Sequence, residues 1–118
     1  MSARERVVTR LARTLAQRDV AAVASVLSRR VRVRSDLSPS IATGRVDAVA
    51  LLMEQVTGPL AVQSVNGAPG IVMRGTSGVT AVLCPVVRLG RVRDIWIVAR
   101  PEHLLHFSTV TDPTPGRS

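Results

Sequence analysis

Aromatic side chains are almost absent from this sequence of 118 residues. Trp96 and Phe107 are the only two, and there is no tyrosine. Proteins that hold single-stranded nucleic acids usually stack the bases on several aromatic side chains, so a surface of that kind is not expected here. Aliphatic residues must fill the core instead, and a hydrophobic content of 46% is sufficient for one folded domain.

Lysine, pairs of cysteines and long apolar runs are missing as well. The single cysteine, Cys84, excludes an internal disulfide bond and fits a reducing compartment. No apolar run approaches the roughly 20 residues that span a bilayer, and the first residues lack the apolar segment of a signal peptide. These absences predict a cytoplasmic protein with no membrane partner.

All sixteen basic residues are arginine, and with eight acidic residues they give a net charge of +8. The arginines are concentrated in residues 4–13 and 29–34, where they could form a basic patch. No recognised nucleic-acid-binding motif accompanies them, so sequence-specific nucleic-acid binding is not expected. An acidic protein partner or an anionic ligand explains the charge better.

Periodic apolar residues predict three helices in the first half of the chain. Ser2 and Glu5 have the spacing of a capping box, and apolar residues then recur at helical intervals at Val7, Val8, Leu11 and Leu15. Asp19 can cap a second, shorter helix. A third helix is predicted over residues 46–56, and the Gly-Pro pair after it is a stop signal.

Alternating apolar residues predict strands in most of the remaining chain, around residues 30–34, 60–65, 71–74, 79–87 and 91–99. Residues 36–44, rich in serine, are predicted to be a loop. Asn66-Gly67 and Leu89-Gly90 supply the left-handed backbone positions of hairpin turns, so consecutive strands should pair antiparallel. Pro85 predicts a bulge or an edge position.

The element order predicts an α+β fold, in which three N-terminal helices pack on a curved antiparallel sheet. Wrapping the sheet around the helices leaves a conical central cavity between the two layers. A ferredoxin-like variant is the alternative that this order also allows. One domain is expected over residues 1–107, followed by a flexible tail over residues 108–118.

The second half of the chain has a distinctive order of turns and strands. Val65-Asn66-Gly67 precedes Pro69-Gly70 and three apolar strands, and the order closes on Arg100–Leu104, which reads Arg-Pro-Glu-His-Leu. It resembles the SnoaL-like domain at the C-terminus of some extracytoplasmic-function sigma factors, within the nuclear-transport-factor-two-like superfamily. The resemblance implies a cystatin-like cone on a scaffold that hosts isomerases, cyclases, ligand sensors and dimerisation modules.

Two motifs of those sigma-factor extensions are only partly kept. The loop after their first strand is Asp-Gly-Gly-Gly and a basic residue, whereas this chain has Asp36 followed by Leu37, Ser38 and Pro39. Their closing motif is similar to Asn-Pro-acid-Lys-Leu, and here Arg100 replaces Asn and His103 replaces Lys. Leucine and proline obstruct the close backbone approach that glycine allows, so the loop is expected to act differently here.

Two carboxylates are the candidate catalytic groups. Isomerases of the ketosteroid type need a carboxylate on a strand or strand end that faces an apolar cavity, where desolvation raises its pKa. Asp94 in the last strand and Asp36 at the end of the first strand meet this requirement. The structural alternatives are that Asp94 pairs with an arginine of a neighbouring strand or faces solvent, and that Asp36 forms a turn.

Trp96, His103 and Met53 are the candidate ligand-binding residues. Trp96 is expected either to form a cavity wall or to fill the core. His103 and His106 can act as proton shuttles if they face the cavity, and otherwise they are surface residues of a short C-terminal turn. No further His, Cys or carboxylate has the spacing of a metal ligand, so neither a metal nor another cofactor is expected.

Two functions are consistent with these residues. In the first, the cavity binds an apolar or polyketide-like small molecule and can catalyse its cyclisation, isomerisation or hydration. In the second, the chain is a non-catalytic regulatory or dimerisation module like the sigma-factor extensions. The first is slightly favoured, because the chain lacks the helical regions of a sigma factor. A homodimer through the outer sheet face is expected in either case, since the helices can cover only one apolar face.

Overall fold

The computed structural model describes residues 2–105, so His106 and the predicted tail over residues 108–118 lie outside the described residues. The helices are α1 (Ala3–Ala16), α2 (Val20–Val26), α3 (Arg45–Gln55) and α4 (Pro101–Leu104); the strands are β1 (Leu27–Ser35), β2 (Ser38–Thr43), β3 (Leu60–Val65), β4 (Ala68–Gly75), β5 (Gly78–Arg88) and β6 (Arg91–Val98). Helices packed on one six-stranded sheet confirm the predicted α+β fold class.

The sheet is mixed rather than wholly antiparallel, and its strand order is β2-β1-β6-β5-β4-β3. Strands β3 to β6 pair antiparallel in sequence order, and their predicted turn residues have positive φ: Asn66, Gly67, Leu89 and Gly90. Strand β1 instead lies parallel to β6, with Arg32 opposite Asp94 and Ser35 opposite Ile97. This pairing differs from the prediction because no tight turn joins the two strands and fixes them antiparallel.

The prediction of a loop over residues 36–44 is wrong, because the segment contains a strand. After a turn at Asp36 and Leu37, β2 returns antiparallel to β1 at the edge of the sheet. Its side chains are mostly exposed, so the sequence lacks the apolar alternation by which strands are recognised. The edge position also tolerates Pro39, since a proline N has no hydrogen to donate on the open side.

The predicted helix starts are confirmed by their hydrogen bonds. The Ser2 hydroxyl accepts from the Glu5 N–H at 3.1 Å, and the Glu5 carboxylate accepts from the Ser2 N–H at 3.0 Å. The Asp19 carboxylate accepts from the Ala22 N–H at 3.1 Å, at the start of α2. These bonds satisfy N–H groups that a helix leaves unpaired in its first turn.

A long-range contact closes the other end of α3. The Arg18 guanidinium donates to the carbonyl oxygens of Met53 and Val56, at 2.7 and 2.8 Å. Carbonyls in the last turn of a helix lack intrahelical donors, and a positive charge there is favourable. Arg18 therefore fastens the link between α1 and α2 to the end of α3. None of the helices in residues 2–105 has the length and apolar character that crossing a membrane requires.

Aliphatic side chains fill the space between the helices and the inner face of the sheet. The largest of them are less than 2% exposed and include Leu11, Leu15, Leu27, Leu52, Ile71, Leu83, Ile95 and Ile97. The central cavity expected in this space is therefore occupied by a packed core. Branched and unbranched aliphatic side chains interdigitate closely enough to do this without aromatic residues.

A second, smaller apolar cluster lies on the outer face of the sheet and consists of Val65, Val72, Val82, Val98 and Leu104. Val72, Val82 and Val98 pair across the central strands, and their neighbours along each strand point into the main core. Leu104 belongs to α4, so this short helix covers one part of the outer face. The rest of that face, toward β1, is not covered by any described element.

Candidate functional site

An open cleft, here called the mouth cleft, lies where β1 and α3 end. Its volume is about 500 Å³, and it is lined by Leu37, Glu54, Gln55, Thr57, Met73, Thr80, Ile97 and Ala99. Met73 and Ile97 form an apolar floor, because they are only 7% and 1% exposed. Glu54 and Thr80 are exposed at its edge. An apolar floor with a few polar groups around it is typical of small-molecule sites.

Asp36 lies beside the mouth cleft, but its carboxylate is directed toward the start of α4. Oδ1 accepts from the Ala99 N–H and Oδ2 from the Arg100 N–H, each at 2.9 Å. Oδ2 also lies 2.8 Å from Nδ1 of His103. The side chain is only 6% exposed. Asp36 thus joins the end of the first strand to the segment that follows the last one.

The hydrogen bonds outweigh burial in setting the pKa of Asp36. Burial is the largest single influence and raises the pKa of the carboxyl group. The N–H groups of Arg100 and Ala99, together with the hydrogen bond and charge of His103, lower it by more in total, so the pKa lies below its ordinary value. A general base needs a pKa closer to the operating pH. Asp36 is therefore an ionised carboxylate whose role is structural, as an acceptor of backbone hydrogen bonds.

Arg100 and His103 extend this contact into a group that we call the rim cluster: Asp36, Arg100, Glu102 and His103. Arg100 Nε donates to the Asp36 carbonyl oxygen at 3.0 Å, and Arg100 Nη1 lies 3.4 Å from a Glu102 carboxylate oxygen. The His103 side chain is 48% exposed. The rim cluster brings together the two motifs that this chain only partly shares with the sigma-factor extensions.

Asp94 does not face the mouth cleft or the core, which corrects the expectation that it lines a cavity. Its neighbours Ile95 and Ile97 are buried against the helices, and side chains alternate along a strand, so Asp94 lies on the outer face. Its Oδ1 accepts from Arg32 Nε at 3.1 Å, and the two side chains are 27% and 56% exposed. Asp94 therefore has the arginine partner of the structural alternative.

Trp96 shares the outer face with Asp94, two residues away on the same strand. Its side chain is 51% exposed, so it neither fills the core nor forms a wall of the mouth cleft. It lies opposite Arg34 on β1 and Cys84 on β5. Both alternatives expected for Trp96 are thus corrected, for the same reason as for Asp94.

Met53 also lies away from the mouth cleft, half-buried against the main core on α3. A different methionine, Met73 on β4, forms the floor of the cleft, and its Sδ accepts the Thr57 N–H at 3.3 Å. Met53 directly precedes Glu54 and Gln55 on α3, but it lies on a side of the helix that packs against the core. Within residues 2–105, no three His, Cys, Asp or Glu side chains lie close enough together to hold a metal ion.

None of the residues that line the mouth cleft was predicted as a site residue, including Glu54, Gln55, Met73 and Thr80. The Ser35 hydroxyl donates to Gln55 Oε1 at 2.7 Å, which joins the ends of β1 and α3. A signal for the helical pair was present, because Glu54 and Gln55 are consecutive polar residues at the end of an otherwise apolar run. Met73 and Thr80 carry no comparable signal, since their position depends on the register of β4 with β5.

Comparison with solved structures relates this geometry to known proteins. The chain is similar to the extracytoplasmic function sigma factor SigJ of Mycobacterium tuberculosis, with 25% identity and a TM-score of 0.69, over 86% of this chain and 44% of that one. The chain thus spans less than half of the sigma factor's length. No protein-family model matches the sequence, and no curated protein matches it significantly.

Two further structures cover this chain almost completely. One is a Kribbella flavida protein provisionally named a ketosteroid isomerase, with 17% identity, a TM-score of 0.64, and coverage of 98% of this chain and 85% of that one. The other is an NTF2-like protein of unknown function from Burkholderia pseudomallei, with 16% identity, a TM-score of 0.64, and coverage of 95% and 100%. Identities this low show the fold alone.

These neighbours show that the chain has the fold of the NTF2-like structures and of part of the sigma factor. The resemblance inferred from the turns and closing motif is therefore confirmed. The fold itself is compatible with ligand-binding, isomerase-like and sigma-factor-related domains, so the function depends on the particular side chains of this chain.

Proposed function

We propose that this chain is a non-catalytic regulatory module that acts as a homodimer, with β5 and β6 forming the contact between the two copies. The proposal rests on one observation, which is an apolar strip on the outer face that no described element covers. We define this outer strip as Cys84, Val86 and Trp96. Its chemistry suits association with a second copy of the same chain.

The outer strip is exposed to an extent that is unusual for side chains of this size and polarity. Trp96 is 51% exposed and Val86 is 49% exposed, and Cys84 lies directly opposite Trp96 in the sheet. Cys84 is half-buried, and burial raises the pKa of its thiol. A two-fold axis through the strip would place the same apolar side chains on both sides, which is the arrangement of an isologous dimer.

The placement of the carboxylates supports a role without catalysis. Asp36 is hydrogen-bonded in full and held ionised, and Asp94 pairs with Arg32 on the face opposite the core. Asp36 lacks the unpartnered environment of a general base, and Asp94 does not face an apolar cavity. The packed interior likewise favours a module over an enzyme with an enclosed reaction chamber.

Sedimentation and tryptophan fluorescence test the dimer directly. At micromolar concentration we expect about twice the chain mass of 12.6 kDa. Trp96 is the only tryptophan, so its emission reports the proposed contact itself and should shift to longer wavelength as the dimer dissociates on dilution. Trp96→Glu should give a monomer, because it replaces the largest apolar side chain of the outer strip by a charge that the contact would have to desolvate.

Val46→Glu is the matched control, since it places the same charge on an apolar side chain that is 83% exposed on α3. This variant should remain dimeric. A wild-type protein that sediments as a monomer, or a dimer that survives Trp96→Glu, contradicts the proposed contact.

The mouth cleft supports a second candidate function, the binding of an apolar or polyketide-like molecule, with or without turnover. The observation in its favour is a cleft of about 500 Å³ with an apolar floor and the Glu54 carboxylate at its edge. Titration with the neutral probe Nile red tests it. Thr80→Phe should narrow the cleft and weaken binding, whereas Thr43→Phe on the edge strand should not.

A turnover assay addresses the acid/base hypothesis that the sequence raised. Asp36→Asn and Asp94→Asn keep the side-chain shape and remove the ionisable group. We expect no turnover in the wild type or in either variant; equal, measurable turnover in all three would exclude these residues as essential acid/base groups. A selective loss in either variant argues for an enzyme and against the non-catalytic module.

A further inference from the structure

We propose that an arginine-lined cleft at the end of the sheet opposite the mouth cleft binds a ligand with two or more adjacent phosphate groups. This arginine cleft has a volume of about 490 Å³ and is lined mainly by Arg29, Arg30, Arg88, Arg91 and Arg93. It lies where β1 and β6 begin, whereas the rim cluster lies where they end. The site is therefore separate from both the outer strip and the mouth cleft.

An irregularity in β1 creates one side of the arginine cleft. From Leu27 to Arg32, β1 advances by five residues, while its partner β6 advances by only two, from Val92 to Asp94. The extra residues of β1 cannot pair with β6 and must arch away from it. Bulges of this kind redirect side chains that a regular strand would hold on alternating faces. Arg29 and Arg30 lie in this arch.

A second irregularity lies across the cleft in β6. Val86 of β5 pairs with Asp94, and the next β5 residue pairs with Val92, so Arg93 is an extra residue in β6. On the β1 side, the Ser28 hydroxyl accepts from the Arg30 N–H at 3.2 Å and holds the arch in shape. Two bulges thus face each other, and each one supplies arginine to the same depression.

The turn between β5 and β6 supplies the remaining arginines. Leu89 and Gly90 have φ values of +54° and +78°, which is the geometry of a tight two-residue hairpin turn. The turn sets Arg88 directly opposite Arg91. Leu89 at the tip is fully exposed and lines the cleft, so it offers an apolar surface next to the guanidinium groups.

The positive charge of the cleft is not compensated by the described part of the chain. Among residues 2–105, no carboxylate lies within ion-pair distance of the five arginines, and the nearby Asp94 bonds to Arg32 instead. Like charges gathered on low-dielectric walls repel one another and raise the local potential for anions. A bound polyanion relieves this repulsion, so binding should also stabilise the fold.

Charge density favours phosphate over carboxylate as the ligand group. An extended acidic peptide presents one carboxylate to a given face about every 6.6 Å, because its side chains alternate. Directly linked phosphate groups carry their charges closer together than this, and a phosphate accepts paired hydrogen bonds from the planar guanidinium fork. Five convergent arginines match the denser ligand. A free polyphosphate and a nucleic-acid strand both supply this chemistry.

The test is a calorimetric titration of the full chain with pyrophosphate, and separately with a short single-stranded oligonucleotide of mixed sequence, at equal ionic strength. The cleft variant is Arg91→Gln with Arg93→Gln. The control is Arg6→Gln with Arg10→Gln, which removes the same charge from exposed positions on α1. Arg88→Gln gives a second cleft variant in case substitution within the bulge alters β6.

We expect the cleft variant to raise the Kd for pyrophosphate about tenfold or more, because each lost hydrogen bond between charged groups removes a large part of the binding free energy. The control variant should change the Kd by less than about twofold. For the oligonucleotide, the salt dependence of log K should decrease by about 1.4 in the cleft variant, which is the loss of two phosphate contacts. Tighter binding of the oligonucleotide than of pyrophosphate identifies a nucleic-acid strand as the source, and the reverse identifies a free polyphosphate.

Three results overturn the proposal. The first is no measurable binding of either probe. The second is an equal loss of affinity in the cleft and control variants, which would mean diffuse attraction to the net charge. The third is tighter, cleft-dependent binding of polyglutamate than of pyrophosphate, which would identify an acidic protein segment as the ligand.

Discussion

Replacing Asp36 by asparagine tests whether the rim cluster fastens the end of β1 to the segment after β6 through charge. The carboxylate accepts from the Ala99 and Arg100 N–H groups at 2.9 Å each and lies 2.8 Å from His103 Nδ1. In the Asp36→Asn variant, the amide oxygen can keep one acceptor bond, but the NH2 group faces a donor that it cannot bind. A hydrogen bond to a charged group contributes about 1.5–3 kcal/mol, so we expect a loss of about 2–3 kcal/mol in the free energy of unfolding at neutral pH.

Urea unfolding followed by circular dichroism measures this loss. With an m-value of about 1.5 kcal/mol/M, the midpoint should fall by about 1.5 M. Asp47→Asn is the matched control, since it removes an exposed carboxylate from the first turn of α3 and loses only a favourable helix-dipole interaction of about 0.5 kcal/mol.

The pH dependence separates charge from shape. The pKa of Asp36 is lowered in the folded state, so its ionisation stabilises the fold above the ordinary aspartate value of about 3.9. That contribution is lost as the pH falls through the lowered, folded-state pKa. The stability difference between wild type and Asp36→Asn should therefore be present at neutral pH and shrink below about pH 4. A difference that persists undiminished in strong acid, or that is absent at neutral pH, refutes the charge-based account.

Three further substitutions each test one contact by the shift of the urea midpoint. Gly70→Ala places a β-carbon 2.5 Å from Cγ2 of Val65 and should destabilise by about 1–3 kcal/mol; an unchanged midpoint would contradict the close packing of β3 on β4. Leu89→Asn should stabilise by about 0.5–1 kcal/mol, because Leu89 is fully exposed at φ +54° and asparagine tolerates this conformation better; a loss of stability would point to a contact of Leu89 that this structure does not have. Arg18→Ala removes two hydrogen bonds from the end of α3 and should cost about 1–2 kcal/mol, whereas full stability would show that water replaces them.

Local features of the fold could be predicted because neighbouring residues determine them. The Ser2–Glu5 capping box and the Asn66-Gly67 turn depend on side-chain and backbone groups within a few residues, and both occur as expected. The bulge or edge position predicted at Pro85 does not occur in its own strand: Pro85 pairs in register with Ile95 in a central strand, and the extra residue at the nearby break in register is Arg93 of β6. Strand β2 could not be predicted in this way, because an exposed edge strand shows no apolar alternation.

The prediction that Asp94 and Trp96 face the interior was wrong, and the reason lies in the period of the strand. A period of two shows that these residues share one face and that Ile95 and Ile97 share the other, but it does not say which face meets the core. The two isoleucines form the more apolar face, so the comparison of the two faces was available in the sequence. Trp96, as the single large aromatic residue of the strands, suggested an interior position for its own face, although the isoleucine face is the more apolar one.

The positions of the two polar sites follow from one long-range contact, the parallel pairing of β1 with β6. Parallel strands start at the same end of a sheet and finish at the opposite end. The segments that follow β1 and β6 therefore lie side by side, and so do the residues at their starts. At one edge, Asp36 after β1 therefore reaches Arg100 and His103 after β6. At the other edge, the arginines at the start of β1 approach those at the start of β6. An antiparallel pairing would place Asp36 beside the arginine cleft, where its carboxylate would neutralise the site. The parallel pairing keeps the acid and the arginines at opposite ends, and this separation leaves the arginine cleft free to bind an anion.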